Sequence, residues 1–356
     1  MTTGICFSCV RGSERPLKPK AIEIRQCAPG ERTNFFLPLY EDATGSPLQV
    51  PFIVARGKKK GPTVGITAAV HGNELNGIKI IQNVLEDLNL EELRGSVLCA
   101  PVVNVPGYNL GRRYFSDGVD LNNKFPGKPD GVPAEQYARA FTLTFLPACD
   151  YLIDIHTASE GRTNTLYVRA DFESPLVREL ALMVNPEIIL HVRGGDGTLR
   201  SAARRRGIPA ITLEAGNPSV LQGKMVFEGE RGVKNILMHL GMMNGKVELR
   251  RTPVICQSSK WIRTTGGGIL ETKFRLLDRI EKKQLLAQTQ DPFGNILQRY
   301  YAPSDGIVIG MAANPAAFPG TRFCHLGLVG EPSDELSAEP AVSTAKQPAP
   351  KRGRKR

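Results

Sequence analysis

The chain has 356 residues, of which 41% are hydrophobic and 23% are charged. This balance is typical of a soluble globular protein with one large or two medium domains. The chain contains no run of about 18 apolar residues, so no transmembrane helix is predicted. The first residues, MTTGICFSCVRGSERP, lack the apolar core and small-residue cleavage site of a secretion signal, and we expect a cytoplasmic protein.

The net charge of +11 lies partly at the C-terminal end. The last 6 residues, KRGRKR, hold 5 basic side chains and leave +6 for the rest of the chain. Basic tails can bind nucleic acid or acidic membranes, but this one lacks the aromatic side chains that stack on bases. We therefore expect a solvated end without a nucleic-acid or membrane partner. The mildly basic body suits an anionic substrate.

The cysteines do not indicate a disulfide framework. There are 7 of them, an odd number, scattered from Cys6 to Cys324,. Cys6 and Cys9 form a lone C-x-x-C. Without a second pair or paired histidines, reduced thiols are a better interpretation of this pair than a structural zinc site.

Residues 1–30 have no clear period and are predicted to form an arm. Two extended runs follow within 34–56, and strands then alternate with helices. Four segments have the apolar character of buried strands: TVGITAAV, SVLCAPVVN, YLIDIH and PAITLE. Helical spacing is found over 75–88, 135–146 and 175–184. The alternation predicts an α/β domain over residues 31–245, with a mostly parallel or mixed sheet flanked by helices.

The pattern changes after Gly245. Short β segments bounded by turns, among them SSKWIRT, GGILET and TRFCHLGLV, predict a small all-β domain over residues 246–330,. Residues 331–356 are rich in Pro, Ala and Ser with mixed charge, which predicts a disordered basic tail,.

Four polar residues follow or end the predicted buried strands. His71 and Glu74 follow the first, His156 ends the third and Glu214 ends the fourth. In open α/β sheets, ligands bind at the carboxyl edge of the strands, where these side chains are expected to converge.

The types of these side chains indicate a metal centre. His71 and Glu74 have H-x-x-E spacing, with Glu74 expected in the first turn of a helix, and His156 is a distant third candidate. Catalytic zinc takes three protein ligands from imidazole nitrogen and carboxylate oxygen, and keeps one position for water. Glu214 either caps the segment after its strand or holds the attacking water and moves its proton, and we favour the second role.

The loop GRRYFSDGVDLNNKFPG, residues 111–127, lies between these strands in the sequence. Arg113 can polarise a carbonyl or bind a carboxylate. Asp120 is expected to accept a hydrogen bond from the second nitrogen of the metal-bound His71.

Four segments together resemble the succinylglutamate desuccinylase and aspartoacylase family of the zinc carboxypeptidase clan. They are AAVHGNELNG, RRYFSDGVDLNNKFPG, DIHTAS and LRSAARRRGIPAITLEAG, and the resemblance covers residues 35–245. The C-terminal segment looks like the β-rich domain of the family's deacylases, which resembles a biotinyl/lipoyl-type barrel-sandwich.

The resemblance implies a role for each matching position. His71, Glu74 and His156 match the zinc ligands, and Glu214 matches the general acid/base. Arg113 matches the arginine that stabilises the oxyanion. Substrate-binding residues by the same match are Asn122 and Arg200, with Arg204 as a competitor for the place of Arg200.

Asn123, a further candidate for substrate binding, departs from the family pattern. The family reads D-L-N-R where this chain reads DLNN, so the arginine that clamps a carboxylate is replaced by a neutral amide. Lys124 is adjacent, but a point charge does not reproduce the bidentate guanidinium. Either the substrate lacks a carboxylate at this place, or Arg112, Arg200 or Lys124 supplies the charge.

These observations predict a zinc-dependent amidohydrolase, with one zinc ion per chain, that cleaves a small, anionic N-acyl amino acid or related amide. One alternative is a zinc carboxypeptidase acting on a peptide or cell-wall fragment. An alternative of another class is a non-catalytic binding protein. A homo-oligomer is compatible with the sequence.

Overall fold

The computed structural model describes residues 20–195 and 197–330. The Cys6–Cys9 pair, the first part of the predicted arm and the whole basic tail lie outside the described residues. Within them, Ile22 is buried and its N–H donates to the carbonyl oxygen of Thr144 at 3.0 Å. The described end of the predicted arm is therefore packed against the body of the protein.

The described residues form strands, α-helices and short 3₁₀-helices. The strands are β1 Glu31–Glu41, β2 Pro47–Arg56, β3 Lys59–Thr67, β4 Arg94–Ala100, β5 Tyr151–His156, β6 Arg162–Asn164, β7 Leu166–Ala170, β8 Ile188–His191, β9 Ala210–Ala215, β10 Val254–Arg263, β11 Gly268–Thr272, β12 Arg279–Ile280, β13 Leu285–Gln290, β14 Ile296–Tyr301, β15 Gly306–Ala312, β16 Ala316–Ala317 and β17 Arg322–Val329. The α-helices are α1 Asn76–Glu86, α2 Val105–Asn109, α3 Pro133–Phe145, α4 Pro175–Val184, α5 Leu199–Arg204 and α6 Gly223–His239. The 3₁₀-helices are Ile24–Gln26, Leu121–Asn123 and Leu146–Ala148.

The larger sheet has 13 strands in the order β1-β2-β4-β3-β5-β9-β7-β8-β10-β17-β15-β12, with β6 paired to β15. Its central strands β4, β3, β5 and β9 are parallel to one another, whereas β7 is antiparallel to β9. The sheet is therefore mixed around a parallel centre. The carboxyl ends of β3, β5 and β9 lie at one edge, where the sequence places the candidate ligands.

Helices cover both faces of this sheet because successive residues of a strand point to opposite sides. On β5, Ile153 packs in the core formed with α1, α4 and α6, and Leu152 packs in the core formed with α3 and α5. This arrangement confirms the predicted α/β class with flanking helices.

The C-terminal strands contribute to two sheets. A separate antiparallel sheet has 4 strands in the order β14-β13-β11-β16, in agreement with the β-rich character predicted for this region. The remaining strands extend the larger sheet, because β10 pairs in parallel with β8 through Val254 opposite Ile188. The division of the chain at residue 245 stays a prediction. No helix among the described residues is long and apolar enough to cross a membrane.

Candidate active site

The loop between β3 and α1 positions the first two candidate ligands. Gly72 lies against backbone, since a Cβ atom there would be 2.1 Å from the carbonyl carbon of Gly107, so a side chain does not fit at this position. Glu74 was expected in the first turn of a helix. The helix begins at Asn76, so Glu74 instead lies just before that turn. Asn76 Nδ2 donates to the carbonyl oxygen of Ala215 at 2.8 Å, which joins the loop to the end of β9.

The strand register brings the other two candidates together. His156 is the last residue of β5, and its register partner on the adjacent parallel strand β9 is Glu214. Both side chains are buried. Because Asp154 precedes His156 by two residues in an extended strand, the two side chains lie on the same face of the sheet.

Three residues form the only group of metal-ligating side chains found among the described residues: His71, Glu74 and His156, with ligand atoms within 4.8 Å of one another. His71 Nδ1 lies 2.8 Å from Glu74 Oε1, and His156 Nδ1 lies 3.0 Å from Glu74 Oε2. The two Nδ1 atoms are 3.1 Å apart. Tetrahedral zinc with ligands at about 2.0–2.1 Å separates its ligand atoms by roughly 3.3 Å, so the donor set has the chemistry and the spacing for such an ion.

The outer nitrogens of both histidines face carboxylates. His71 Nε2 lies 3.1 Å from Asp120 Oδ1, and His156 Nε2 lies 3.0 Å from Asp154 Oδ2. If each Nε2 carries the proton, both Nδ1 lone pairs point at the same place, which is favourable only when a cation or a proton lies between them. The arrangement therefore fits a metal ion. Asp120 was predicted from the sequence and Asp154 was not, although the place of Asp154 two residues before His156 in a strand was a usable signal.

The charges at this centre are strongly coupled. Burial alone would raise the pKa of Glu74, but the imidazoles of His71 and His156 hold it well below its usual range. Burial opposes charge on His156, but Asp154 and Glu74 raise the pKa of its imidazole well above the usual value. Two carboxylates thus stabilise positive charge at His156, as they would stabilise a bound cation.

Arg113 lies beside the metal ligands. Its Nη1 donates to Glu74 Oε1 at 2.9 Å, and its Nη2 donates to Asp120 Oδ2 at 2.9 Å. Burial lowers the pKa of the guanidinium, but the two carboxylates raise this pKa by more than burial lowers it, so the charge is retained. Nε also donates to Asp120, which leaves two of the five N–H groups of this side chain for a substrate,.

Glu214 is held by a residue that the sequence analysis missed. Arg169 Nε donates to Glu214 Oε1 at 3.1 Å, and Arg169 Nη2 donates to the hydroxyl of Tyr167 at 2.8 Å. Burial disfavours the charge on Arg169, but Tyr167 and Glu214 raise its pKa. The alternation of strand LYVRA predicts that residues 167 and 169 point to the same face of the sheet,. No local sequence pattern predicts that the strand of Glu214 lies next to them.

The predicted substrate residues have different surroundings. Asn122 lies with its Nδ2 3.4 Å from His156 Nε2, and its Oδ1 accepts a hydrogen bond from the N–H of Leu199. Asn123 and Arg200 also line the cavity at the metal ligands. Arg204 does not, and its Nε instead donates to Asp171 Oδ2 at 3.0 Å. The structure thus brings Arg200, rather than Arg204, to the candidate site.

The cavity at the site has a volume of about 270 Å³. Besides the residues above, Arg162, Trp261 and Arg322 line it. Trp261 lies on β10 and Arg322 on β17, so the C-terminal strands form part of its wall. A second cavity, of about 360 Å³, is lined by Asp171 and Arg204 and does not include the metal ligands. We place the chemistry in the smaller cavity because, of the two, only this one is lined by His71, His156 and Glu214.

Comparisons with known proteins agree with the family resemblance. A family model described as the succinylglutamate desuccinylase/aspartoacylase catalytic domain matches residues 60–240. N-alpha-acetyl-L-2,4-diaminobutyric acid deacetylase of Halomonas elongata is 29% identical over 316 residues, which are 83% of this chain and 91% of that protein. Succinylglutamate desuccinylase of Yersinia pestis is 29% identical over 170 residues, which are 43% of this chain and 51% of that protein.

Solved structures show the same fold. The product-bound ectoine utilization protein EutE (DoeB) of Ruegeria pomeroyi superposes with a TM-score of 0.76 at 22% identity, over 83% of this chain and 95% of that one. A succinylglutamate desuccinylase/aspartoacylase of Rhodobacter sphaeroides gives a TM-score of 0.73 at 24% identity, over 83% of this chain and 96% of that one.

Proposed function

The chain belongs to the succinylglutamate desuccinylase/aspartoacylase family, and from this premise we propose that it hydrolyses the amide bond of a small N-acyl amino acid or a related N-acyl compound. Its cofactor is one zinc ion, held by His71, Glu74 and His156. The observation that carries the proposal is the convergence of these three side chains, two of which, His71 and His156, line one cavity together with Glu214.

Zinc, when bound, polarises a carbonyl oxygen and lowers the pKa of water towards neutrality. The side chains of the protein perform the remaining tasks. The Glu214 carboxylate takes a proton from the attacking water and gives it to the leaving nitrogen. Arg113, with two N–H groups not used by Glu74 or Asp120, stabilises the negative charge that develops on the amide oxygen. Asp120 and Asp154 orient the two imidazoles.

The size of the cavity supports a small substrate. Its volume of about 270 Å³ lies just below the usual range of roughly 300–1,000 Å³ for small-molecule pockets. Trp261 and Arg322 bound it from the C-terminal strands, whereas a carboxypeptidase for peptides or cell-wall fragments needs an open groove. The names of the two relatives, a deacetylase and a desuccinylase, also favour N-acyl substrates over peptides.

A purely binding role is the weaker alternative. A protein without catalysis has no need of a carboxylate such as Glu214 fixed by Arg169 next to a metal centre. We also propose that Asn122 and Arg200, which line the same cavity, bind the substrate.

Metal analysis combined with an activity screen tests the proposal. Purified protein is expected to contain about one zinc ion per chain and to release amine from members of a panel of N-acyl amino acids. Chelation is expected to abolish turnover and zinc to restore it. The variant His71→Ala should lose the metal. The control His239→Ala, which changes the last residue of α6, a histidine paired with Glu179 of α4, should keep it.

The same preparation separates the alternatives. Release of a C-terminal residue from peptides, without action on N-acyl amino acids, would support the carboxypeptidase. Failure to bind zinc, or zinc binding with no hydrolysis of either class, would refute the proposed amidohydrolase.

A further inference from the structure

The cavity contains more arginine than the proposed chemistry uses. Its lining includes five arginines, Arg113, Arg162, Arg169, Arg200 and Arg322, but only two carboxylates, those of Asp120 and Glu214. Three of these arginines have partners in the fold. Arg113 binds Glu74 and Asp120, Arg169 binds Glu214, and Arg200 donates to the carbonyl oxygen of Val192 at 3.1 Å.

Arg162 and Arg322 differ from the other three. Neither forms a salt bridge with any carboxylate in residues 20–195 and 197–330. The largest charge effects on both come from other arginines, while Tyr167 and Glu214 act less strongly in the opposite direction on Arg162. Burial and the neighbouring charges of Arg322 and Arg113 lower the pKa of Arg162, and burial and Arg263 lower that of Arg322. An anion between these two guanidinium groups would remove that repulsion.

Trp261 holds both guanidinium groups at the cavity. The Cζ atoms of Arg162 and Arg322 lie 5.2 Å and 6.0 Å from the centroid of its ring. The indole itself is stacked on the ring of His325, with 4.5 Å between centroids and 10° between planes. His325 is buried and its Nε2 lies 2.8 Å from the Ser259 hydroxyl. A cation–π contact leaves the N–H edges of a guanidinium available for a bidentate ligand.

The strands keep these side chains in place. Arg162 is the first residue of β6 and pairs in register with Ala312 of β15. Arg322 is the first residue of β17 and pairs in register with Arg263 of β10. Both arginines are thus anchored in hydrogen-bonded strands of the larger sheet. Sites on strands hold geometry better than sites on loops.

We propose that Arg162 and Arg322, positioned by Trp261, form the site for a carboxylate of the substrate. They take over the recognition that the motif loop has lost at Asn123, which lines the same cavity but offers only a neutral amide. This inference rests on the proposed function, since it places the carboxylate on the N-acyl compound that is hydrolysed. It makes the C-terminal strands the part of the chain that selects an anionic substrate.

The carboxylate belongs either to the acyl group or to the amino acid, and matched substrates distinguish the two. For the acyl side, N-succinyl-L-alaninamide is compared with N-butanoyl-L-alaninamide. For the amine side, N-acetyl-L-alanine is compared with N-acetyl-L-alaninamide. Within each pair a carboxylate at one end is replaced by an uncharged group, a methyl on the acyl side and a carboxamide on the amine side. The ratio of kcat/KM values therefore measures how much the enzyme favours the anion.

The experiment compares wild type with Arg162→Gln, Arg322→Gln and the double variant. Arg299→Gln is the control, because Arg299 is an exposed residue of β14 that does not line the cavity. In the pair whose carboxylate is bound, each single substitution is expected to reduce the preference for the anion by roughly 10- to 100-fold, the usual worth of a charged hydrogen bond. Arg299→Gln is expected to leave that preference as in wild type.

A binding measurement keeps the inference testable apart from turnover. Calorimetry compares succinate with butanoate, and L-alanine with L-alaninamide, on wild type and on the double variant. If wild type binds one carboxylate more tightly than its uncharged counterpart, and the double variant loses this difference, the carboxylate site is supported. This conclusion holds even if wild type hydrolyses no substrate, a result that would refute only the proposed function. Unchanged kinetic preference and unchanged carboxylate binding in the double variant would overturn the inference while leaving amide hydrolysis intact.

Discussion

Arg169 Nε donates a hydrogen bond to Glu214 Oε1 across the antiparallel pair β7–β9, with 3.1 Å between the two atoms. The register partner of Glu214 on β7 is Tyr167, so Arg169 reaches the carboxylate from two residues further along the strand. The Tyr167 hydroxyl accepts a second hydrogen bond from the same guanidinium. The candidate acid/base is therefore held by a side chain that is itself fixed at two points.

The substitution Glu214→Gln keeps the size of the side chain and removes its capacity to take a proton. Turnover is expected to fall on the order of 10²–10⁴-fold, the usual contribution of a positioned acid or base. Zinc content should not change, because Glu214 is not among the clustered ligands. Glu281→Gln, at an exposed position, is the control. Near-normal turnover by Glu214→Gln would assign the proton transfer to another group.

The substitution Arg169→Gln tests whether the contact with Glu214 positions it. We expect kcat to fall by about 10²-fold, the loss that a misplacement of roughly 1 Å can cause, with a smaller change in KM. Metal content and the urea unfolding midpoint are measured on the same samples. A fall in kcat that follows a loss of fold or of zinc would mean that Arg169 has only a structural role.

The substitutions Asp120→Ala and Asp154→Asn remove the carboxylates that face the outer nitrogens of His71 and His156. Each is expected to weaken zinc binding roughly 10–100-fold, because these partners fix the tautomer and the orientation of the ring. Competition with a chromogenic chelator measures the affinity. Asp171→Asn is a matched control, since Asp171 is a buried carboxylate that binds Arg204 away from the metal ligands. Wild-type affinity in both variants would refute this role.

His325 makes the free energy of unfolding depend on pH. Burial, together with the charges of Arg169, Arg162 and Arg322, lowers the pKa of its imidazole to about 3. In the unfolded chain the imidazole of His325 takes up a proton at about pH 6.5. In the folded chain it stays neutral until the pH approaches about 3. Stability is therefore complete above pH 6.5 and is lost as the pH falls.

Urea unfolding of wild type and His325→Gln at pH 7 and pH 5 measures this effect. Wild type is expected to lose about 2 kcal/mol more than the variant between the two pH values. The difference between the proteins cancels the contribution of the carboxylates that titrate in both. Equal losses would show that His325 is protonated in the folded protein at pH 5.

The motifs of the chain were sufficient to predict its fold class and its family. A buried apolar run followed by H-x-x-E, and a second such run that ends in His156, place their polar residues at one edge of a parallel sheet, because all the parallel strands end there. That edge is where the structure has His71, Glu74 and His156. Asp120 was accessible to the same reasoning, because a metal-binding histidine needs a partner for its second nitrogen.

The surroundings of these motifs were decided by tertiary structure. Tyr167 and Arg169 belong to a strand whose position next to β9 is set by sheet order, and no local pattern encodes sheet order. Arg162 and Arg322 are far apart in the sequence, and they meet at Trp261 because β6 and β17 both pair with β15.

The sequence by itself determined which residues are able to bind a metal and to move a proton, because residue type and place at a strand end are local properties. The folded chain decided which arginine holds Glu214, which carboxylate supports His156 and which side chains line the cavity. These contacts are made across strands that are neighbours in space and distant in sequence, so register and strand order, rather than motif, decide them.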